Sequence, residues 1–149
     1  MKSERRNIRT FVYLLLTLCI SAFLFTGIDV NAARVSESGA LKVSGTKLTS
    51  KKTGQSVQLR GVSTHGINWD VGYPYISKEA FMTLRDDYSV DAIRLAMYTT
   101  EYYGYCDKGS AGESQSQVQA TLKNRIDTGV KAATELDMYV IIDWHILND

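Results

Sequence analysis

Between residues 115 and 136 the apolar side chains Val118, Leu122, Ile126, Val130, Ala133 and Leu136 recur at intervals of four, four, four, three and three. Immediately afterwards the chain runs through MYVIIDW (138–144), apolar everywhere except Asp143. The first pattern is the stripe of an amphipathic helix with one face on a core. The second lacks the alternation of a half-exposed strand, so it reads as a strand buried on both faces, as happens in parallel sheets covered by helices. A helix that empties directly into such a strand constrains the fold more than any other feature here.

The same grammar recurs upstream. Ser77 is a helix N-cap ahead of residues 78–87, which place Ala80, Phe81 and Leu84 on one face. DAIRLAMY (91–98) follows as a strand. Further back, residues 41–49 alternate at period two, a turn occupies 50–55, and 57–62 forms another apolar-rich run, which together predict a hairpin with a longer loop. From residue 57 onward the order is strand, helix, strand, helix, strand, the signature of α/β architecture with a parallel sheet. Three strands would leave an open edge and uncovered faces. The chain is therefore expected to hold the first three β/α units of a larger domain. An open doubly wound sheet would want a glycine-rich phosphate loop after its first strand, and Ser63-Thr64-His65-Gly66 is not one.

The front of the chain is different. Residues 1–10 carry Lys2, Arg5, Arg6 and Arg9 against Glu4, and residues 11–28 contain no charge. Val30 and Ala32 then supply small side chains at a cleavage site after residue 32. A basic start, an apolar stretch and small residues describe a secretory signal peptide over 1–32. A membrane anchor over 11–28 is the alternative, since 18 apolar residues approach a bilayer span. Residues 33–149, with one proline (Pro74) and no low-complexity tract, read as one continuous domain. That part has 13 basic and 14 acidic residues and no basic stripe, so no nucleic-acid partner is expected. Cys106 is its lone thiol and is read as ordinary packing.

Period-two alternation divides residues 93–98 into Ile93, Leu95 and Met97 on one face and Arg94, Ala96 and Tyr98 on the other. The apolar face suits helices. An arginine in mid-strand needs a carboxylate or several acceptors to meet it. The strand ends bring polar groups to one rim: His65 after the first, Arg94 with Tyr98 on the second, and His145 after the third. Around them lie Trp69, Tyr73 and Tyr75 in one loop, and Tyr102, Tyr103 and Tyr105 in the next. Aromatic plates alternating with hydrogen-bonding groups suit a carbohydrate, whose rings present flat C–H faces edged with hydroxyls. Each residue also has a plainer explanation. His65 fits a turn, Arg94 a structural ion pair, Trp69 a barrel cap, and residues 102–105 a folded loop. Convergence of three strand ends favours a site.

The stretches GVSTHGINWD (61–70), DAIRLAMY (91–98) and MYVIIDWHIL (138–147) resemble the successive strand-end motifs of glycoside hydrolase family 5, cellulase type. The likeness extends over about residues 40–149. It implies a (β/α)8 TIM barrel, preceded here by a β-hairpin, that hydrolyses internal β-1,4 bonds of cellulose or a related β-glucan with retention and without a cofactor. On this resemblance Arg94 orients the nucleophilic carboxylate and His145 contacts the sugar at the cleavage point. His65 and Tyr98 line the pocket, and Trp69 packs against sugar. The family's two catalytic glutamates end later strands, so both are expected beyond Asp149; Glu79, Glu101, Glu113 and Glu135 do not match them. The expectation is thus a secreted, monomeric enzyme of which this chain is an N-terminal part, inactive and not stably folded by itself. The competing readings are a mannanase or xyloglucanase on the same barrel, a metal-dependent hydrolase using His65, Asp143, His145 and Glu101, and a non-catalytic carbohydrate-binding protein. The metal reading is disfavoured because paired His-x-His strand-end ligands are missing.

Overall fold

In the computed structural model, which describes residues 33–109 and 112–147, the described part begins with one helical turn, α1 (Val35–Ser38). The proposed signal peptide over 1–32 and its anchor alternative over 11–28 lie outside the described residues. So does Asp149, the position beyond which both catalytic glutamates are expected. Among the described residues no helix is long and apolar enough to cross a membrane.

Strands β1 (Leu41–Ser44) and β2 (Lys47–Ser50) pair antiparallel, Leu41 facing Ser50 and Ser44 facing Lys47. This differs from the expected hairpin, which had one strand over 41–49 and its turn at 50–55. The reversal comes earlier, at Gly45 and Thr46. Gly45 takes the left-handed φ of 59° that a two-residue hairpin loop requires of one of its central residues. Alternation continues across that turn, which hid it. Residues 50–55 make a second turn, closed by the Ser50 N–H donating to the Gln55 carbonyl at 2.9 Å and by an isolated bridge between Thr49 and Ser56. Residues 57–60 therefore pair only briefly, and the first strand of the parallel set, β3, is short: Gly61–Ser63.

The rest follows the alternating order. After a 3-10 turn (Tyr73–Tyr75) come α2 (Lys78–Tyr88), β4 (Ala92–Tyr98), α3 (Gln115–Glu135) and β5 (Tyr139–His145). The sheet order is β3-β4-β5, all parallel. The Ser77 hydroxyl caps α2 by accepting from the Ala80 N–H. A capping box of Ser114 and Gln117 starts α3, which satisfies backbone donors that a helix start otherwise leaves unpaired.

The core lies between the sheet and these two helices. Ile93, Leu95 and Met97 of β4 meet Phe81 from α2 and Val118, Leu122, Ala132 and Ala133 from α3. Ile126 and Val130 of the stripe are half-buried against the same cluster. Each large side chain so buried contributes about 1.5–3 kcal/mol. Gly129 permits the close approach of α3: a Cβ there would sit 2.8 Å from Leu95 Cδ1 and 3.0 Å from Ile76 Cγ2. At the amino-terminal end of the sheet, buried Asp91 accepts from the Arg60 N–H at 2.7 Å and the Ala33 N–H at 2.9 Å, tying the start of the domain to β4.

Candidate active-site rim

The polar face of β4 is held between both neighbours. In register, Arg94 lies beside Ser63 of β3 and Ile141 of β5, Ala96 beside Asp143, and Tyr98 beside His145. The small Ala96 lets the Arg94 guanidinium extend toward the carboxyl end of the sheet. There Nη1 donates to Ser63 Oγ at 2.7 Å and Nη2 to Asp143 Oδ2 at 2.5 Å. His145 Nδ1 lies 2.9 Å from that same Asp143 oxygen and 3.1 Å from Arg94 Nη2. One guanidinium thus spans all three strands. The Arg94–Asp143 pair keeps partial solvent access, so it adds little stability and acts mainly by fixing direction.

The loop after β3 continues the pairing with β4 by borrowing side chains. The Thr64 N–H donates to the Arg94 carbonyl, Thr64 Oγ1 accepts from the Ala96 N–H, and the Ile67 N–H donates to the Ala96 carbonyl. Asn68 Oδ1 then accepts from the Tyr98 N–H at 3.2 Å. These bonds place His65 and Trp69 beside the strand end. Gly66 is required by proximity, since a Cβ there would lie 2.9 Å from Tyr98 Cε2. From behind, Arg125 of α3 donates through Nη1 to the carbonyls of Ile67 at 2.7 Å and Asn68 at 3.1 Å, with its guanidinium 3.8 Å from the Tyr73 ring centre. Burial lowers the Arg125 pKa, opposed by Tyr73, Asp70 and Glu113. The charge is retained and braces the loop.

The rings form a continuous row. His65 lies 4.6 Å from Trp69, Trp69 stacks on Tyr98 at 5.3 Å, and Tyr98 meets His145 edge-on at 4.7 Å. Tyr102 stands edge-on to both Trp69 and Tyr98, at 4.6 and 5.1 Å. The five residues singled out from the sequence, His65, Trp69, Tyr98, Arg94 and His145, therefore occupy one connected rim.

Asn68 escaped the sequence reading, and Asp143 and Tyr102 were read in other roles, as a candidate metal ligand and as part of a folded loop. Asp143 is the carboxylate that mid-strand Arg94 demanded, and period two already placed it on the face of His145. Asn68 left no such signal, because a side chain substituting for a ladder partner has no periodicity. Tyr102, assigned to a folded loop, reaches the rim because it and Tyr103 adopt left-handed backbone, with φ of 55° and 57°. Cys106, expected to be packed, is exposed: its N–H closes the 99–106 loop onto the Thr99 carbonyl, with the thiol outside. Of the residues considered for a metal, Asp143 and His145 meet, but no group of three His, Cys, Asp or Glu among the described residues could hold an ion.

Comparison with known proteins narrows the reading. The sequence pattern of the cellulase family, glycosyl hydrolase family 5, matches residues 50–149, up to and including Asp149. Endoglucanase A of Butyrivibrio fibrisolvens is 48% identical over 121 residues, which are 80% of this chain and 26% of that protein. An endoglucanase of Clostridium saccharobutylicum is 38% identical over 146 residues, or 95% of this chain and 29% of that one. The chain thus spans little more than a quarter of the length of these relatives. Among solved structures, the catalytic domain of alkaline cellulase K superposes with a TM-score of 0.62 at 35% identity, covering 78% of this chain and 29% of that domain. The catalytic domain of Thermobifida fusca endoglucanase Cel5A gives 0.59 at 33% identity, covering 76% and 32%. By sequence and by fold, this chain belongs to the glycosyl hydrolase family 5 cellulases.

Proposed function

We propose that residues 33–149 form the first three β/α units of the catalytic barrel of a secreted, monomeric endo-β-1,4-glucanase that hydrolyses cellulose or a related β-glucan with retention. The observation that carries this reading is the Arg94 guanidinium, held at a strand-end rim by Ser63 and Asp143 beside the ring row His65–Trp69–Tyr98. Support comes from the family and from a related catalytic domain solved in complex with cellotetraose.

Retaining hydrolysis uses two carboxyl groups about 5–5.5 Å apart, one as nucleophile and one as acid and base. We assign both to glutamates beyond Asp149, on later strands of a longer polypeptide, and none to Glu79, Glu101, Glu113 or Glu135. Glu79 and Glu135 sit on helices, and Glu101 and Glu113 in loops. Arg94 then has a defined task. A guanidinium carries five donors, so bonds to Ser63 and Asp143 leave others to hold a nucleophilic carboxylate ionised and aimed. His145 contacts the sugar at the cleavage point, His65 and Tyr98 line the pocket, and Trp69 offers a face to a sugar ring.

Release of reducing sugar from soluble cellulose, by a longer polypeptide carrying this segment, tests the reading. Arg94→Ala should lower kcat by about 10²–10³, the scale of losing one preorganised charge-stabilising donor. Equal rates in parent and variant would remove Arg94 from its role. Faster release from mannan than from glucan would move the substrate assignment to the mannanase reading.

A further inference from the structure

Asp143 contributes one oxygen to two partners. Oδ2 accepts from Arg94 Nη2 at 2.5 Å and stands 2.9 Å from His145 Nδ1. Wherever Asp143 is a carboxylate, the proton between it and His145 belongs on the ring nitrogen. A carboxylate oxygen brings lone pairs, so a bare Nδ1 would face it lone pair to lone pair at 2.9 Å with nothing between them. With a proton on Nδ1 the contact becomes a charge-assisted hydrogen bond, roughly twice as strong as a neutral one. The competing arrangement, in which Arg94 Nη2 donates to a bare Nδ1, uses the longer contact of 3.1 Å and leaves that repulsion in place. The Nδ1–H assignment holds for the neutral ring and for the cation alike.

We propose that Asp143 is a positioning residue of this site. It aims the Arg94 guanidinium and locks His145 as the Nδ1–H tautomer, so that neutral His145 offers Nε2 to substrate as a hydrogen-bond acceptor. The ring nitrogen that is free is set by the bond the other one makes. The group recognised is therefore a hydroxyl that donates, as the hydroxyls of a pyranose ring can. The substrate half of this proposal rests on the glucanase reading; the tautomer half rests on local geometry alone. Register supports a dedicated role. Asp143 and His145 are two residues apart on one face of β5, and Ala96 opposite Asp143 keeps the space between them and Arg94 open.

The test is nitrogen-15 spectroscopy of histidine-labelled full-length polypeptide, with the His145→Gln spectrum identifying the His145 signals. The expected result is a protonated Nδ1 and a bare Nε2, opposite to the Nε2–H form that free histidine favours in water. Asp143→Ala should move the population toward Nε2–H and lower kcat by about 10- to 100-fold, the scale seen when the carboxylate that orients a metal-binding histidine is removed. Asp143→Asn, close in size, provides a second variant should the alanine protein not fold. It should also shift the tautomer, though less than alanine, because an amide oxygen in the shared position can still accept from both neighbours but without the carboxylate's charge, which about halves the strength of the bond to Nδ1–H. An Nε2–H ring in the parent protein, or a tautomer unchanged in both variants, overturns the proposal. If the spectra behave as expected but no β-glucan is cleaved, the glucanase reading fails and the Asp143–His145 assignment stands.

Discussion

Strands β4 and β5 are the same length, run parallel and pair residue for residue from Ala92–Tyr139 to Tyr98–His145, yet their surroundings differ sharply. In β4 every side chain except Arg94 is buried. In β5 none is fully buried, and Ile141, Ile142 and Trp144 keep 49%, 57% and 48% of their surface exposed. Composition does not explain this, since YVIID is as apolar as AIRLA. Position does. β4 has a strand on each side and two helices over its apolar face, whereas β5 pairs only with β4 and lies at the edge of the described sheet. The outer face of β5 borders a groove of about 420 Å³ lined by Met97, Tyr105, Ile126, Ile142 and Trp144. A strand written for burial on both faces, with its apolar side chains in water, shows which part of the fold is self-sufficient and which depends on more cover.

The largest effect follows from that dependence. Purified by itself, the segment 33–149 should melt without a cooperative transition. Bare faces on β5 and edges of β3 and β5 that have no partner among the described residues remove much of the burial from which a net stability of about 5–15 kcal/mol is drawn in ordinary domains. Circular dichroism against temperature reads this directly. A single steep transition, coincident by far- and near-ultraviolet signals, would show β4 and its helices to be sufficient and break the contrast with β5.

A finer measure compares Leu95→Ala with Ile142→Ala in a longer polypeptide carrying the segment. Leu95 is fully buried here, and truncation should cost about 2–5 kcal/mol by chemical denaturation. If β5 receives the cover its sequence is written for, Ile142→Ala should cost a similar amount. A loss under about 1 kcal/mol, as at surface positions, would mean that the difference between the strands is permanent and that Ile142 serves a solvent-facing surface.

The same contrast shows what could be read from sequence. Both helices, the Ser77 cap of α2, and strands β4 and β5 were legible because 3.6- and two-residue periodicities are local, and burial enforces them at Phe81, Leu95 and Leu122. Arg94 stood out as a charge within a buried strand, and period two placed it with Tyr98. The rest depends on tertiary contacts. Gly45 turns the hairpin early because one left-handed residue suffices, and alternation on either side does not record it. Asn68 completes a ladder through its side chain, and Tyr102 enters the ring row through a left-handed backbone, neither of which leaves a periodic trace. Asp143 lies between these cases: its face was predictable, and what was missing was the step from an unpartnered arginine to the carboxylate one strand away.

The smallest effect concerns what holds the cover over β4. Lys78, the first residue of α2, and Glu135, the last of α3, make an exposed ion pair at 2.8 Å. Each charge sits at the end of its helix where the backbone dipole opposes it, so the pairing offsets two small penalties. The hydrogen bond from Lys78 holds the Glu135 carboxyl below its ordinary pKa. A folded-state value lowered in this way gives stability above the unfolded value, lost as pH falls through the folded one. Here both partners are in solvent, where screening and side-chain entropy cancel most of the gain. In the longer polypeptide, Lys78→Met should therefore melt at the parent's temperature at neutral pH, and acidification through the carboxylate range should open no gap between the two. If Lys78→Met instead lowered the melting temperature as far as Leu95→Ala, the ion pair and not the buried contacts of Phe81, Leu122 and Ala133 would be keeping α2 and α3 on β4.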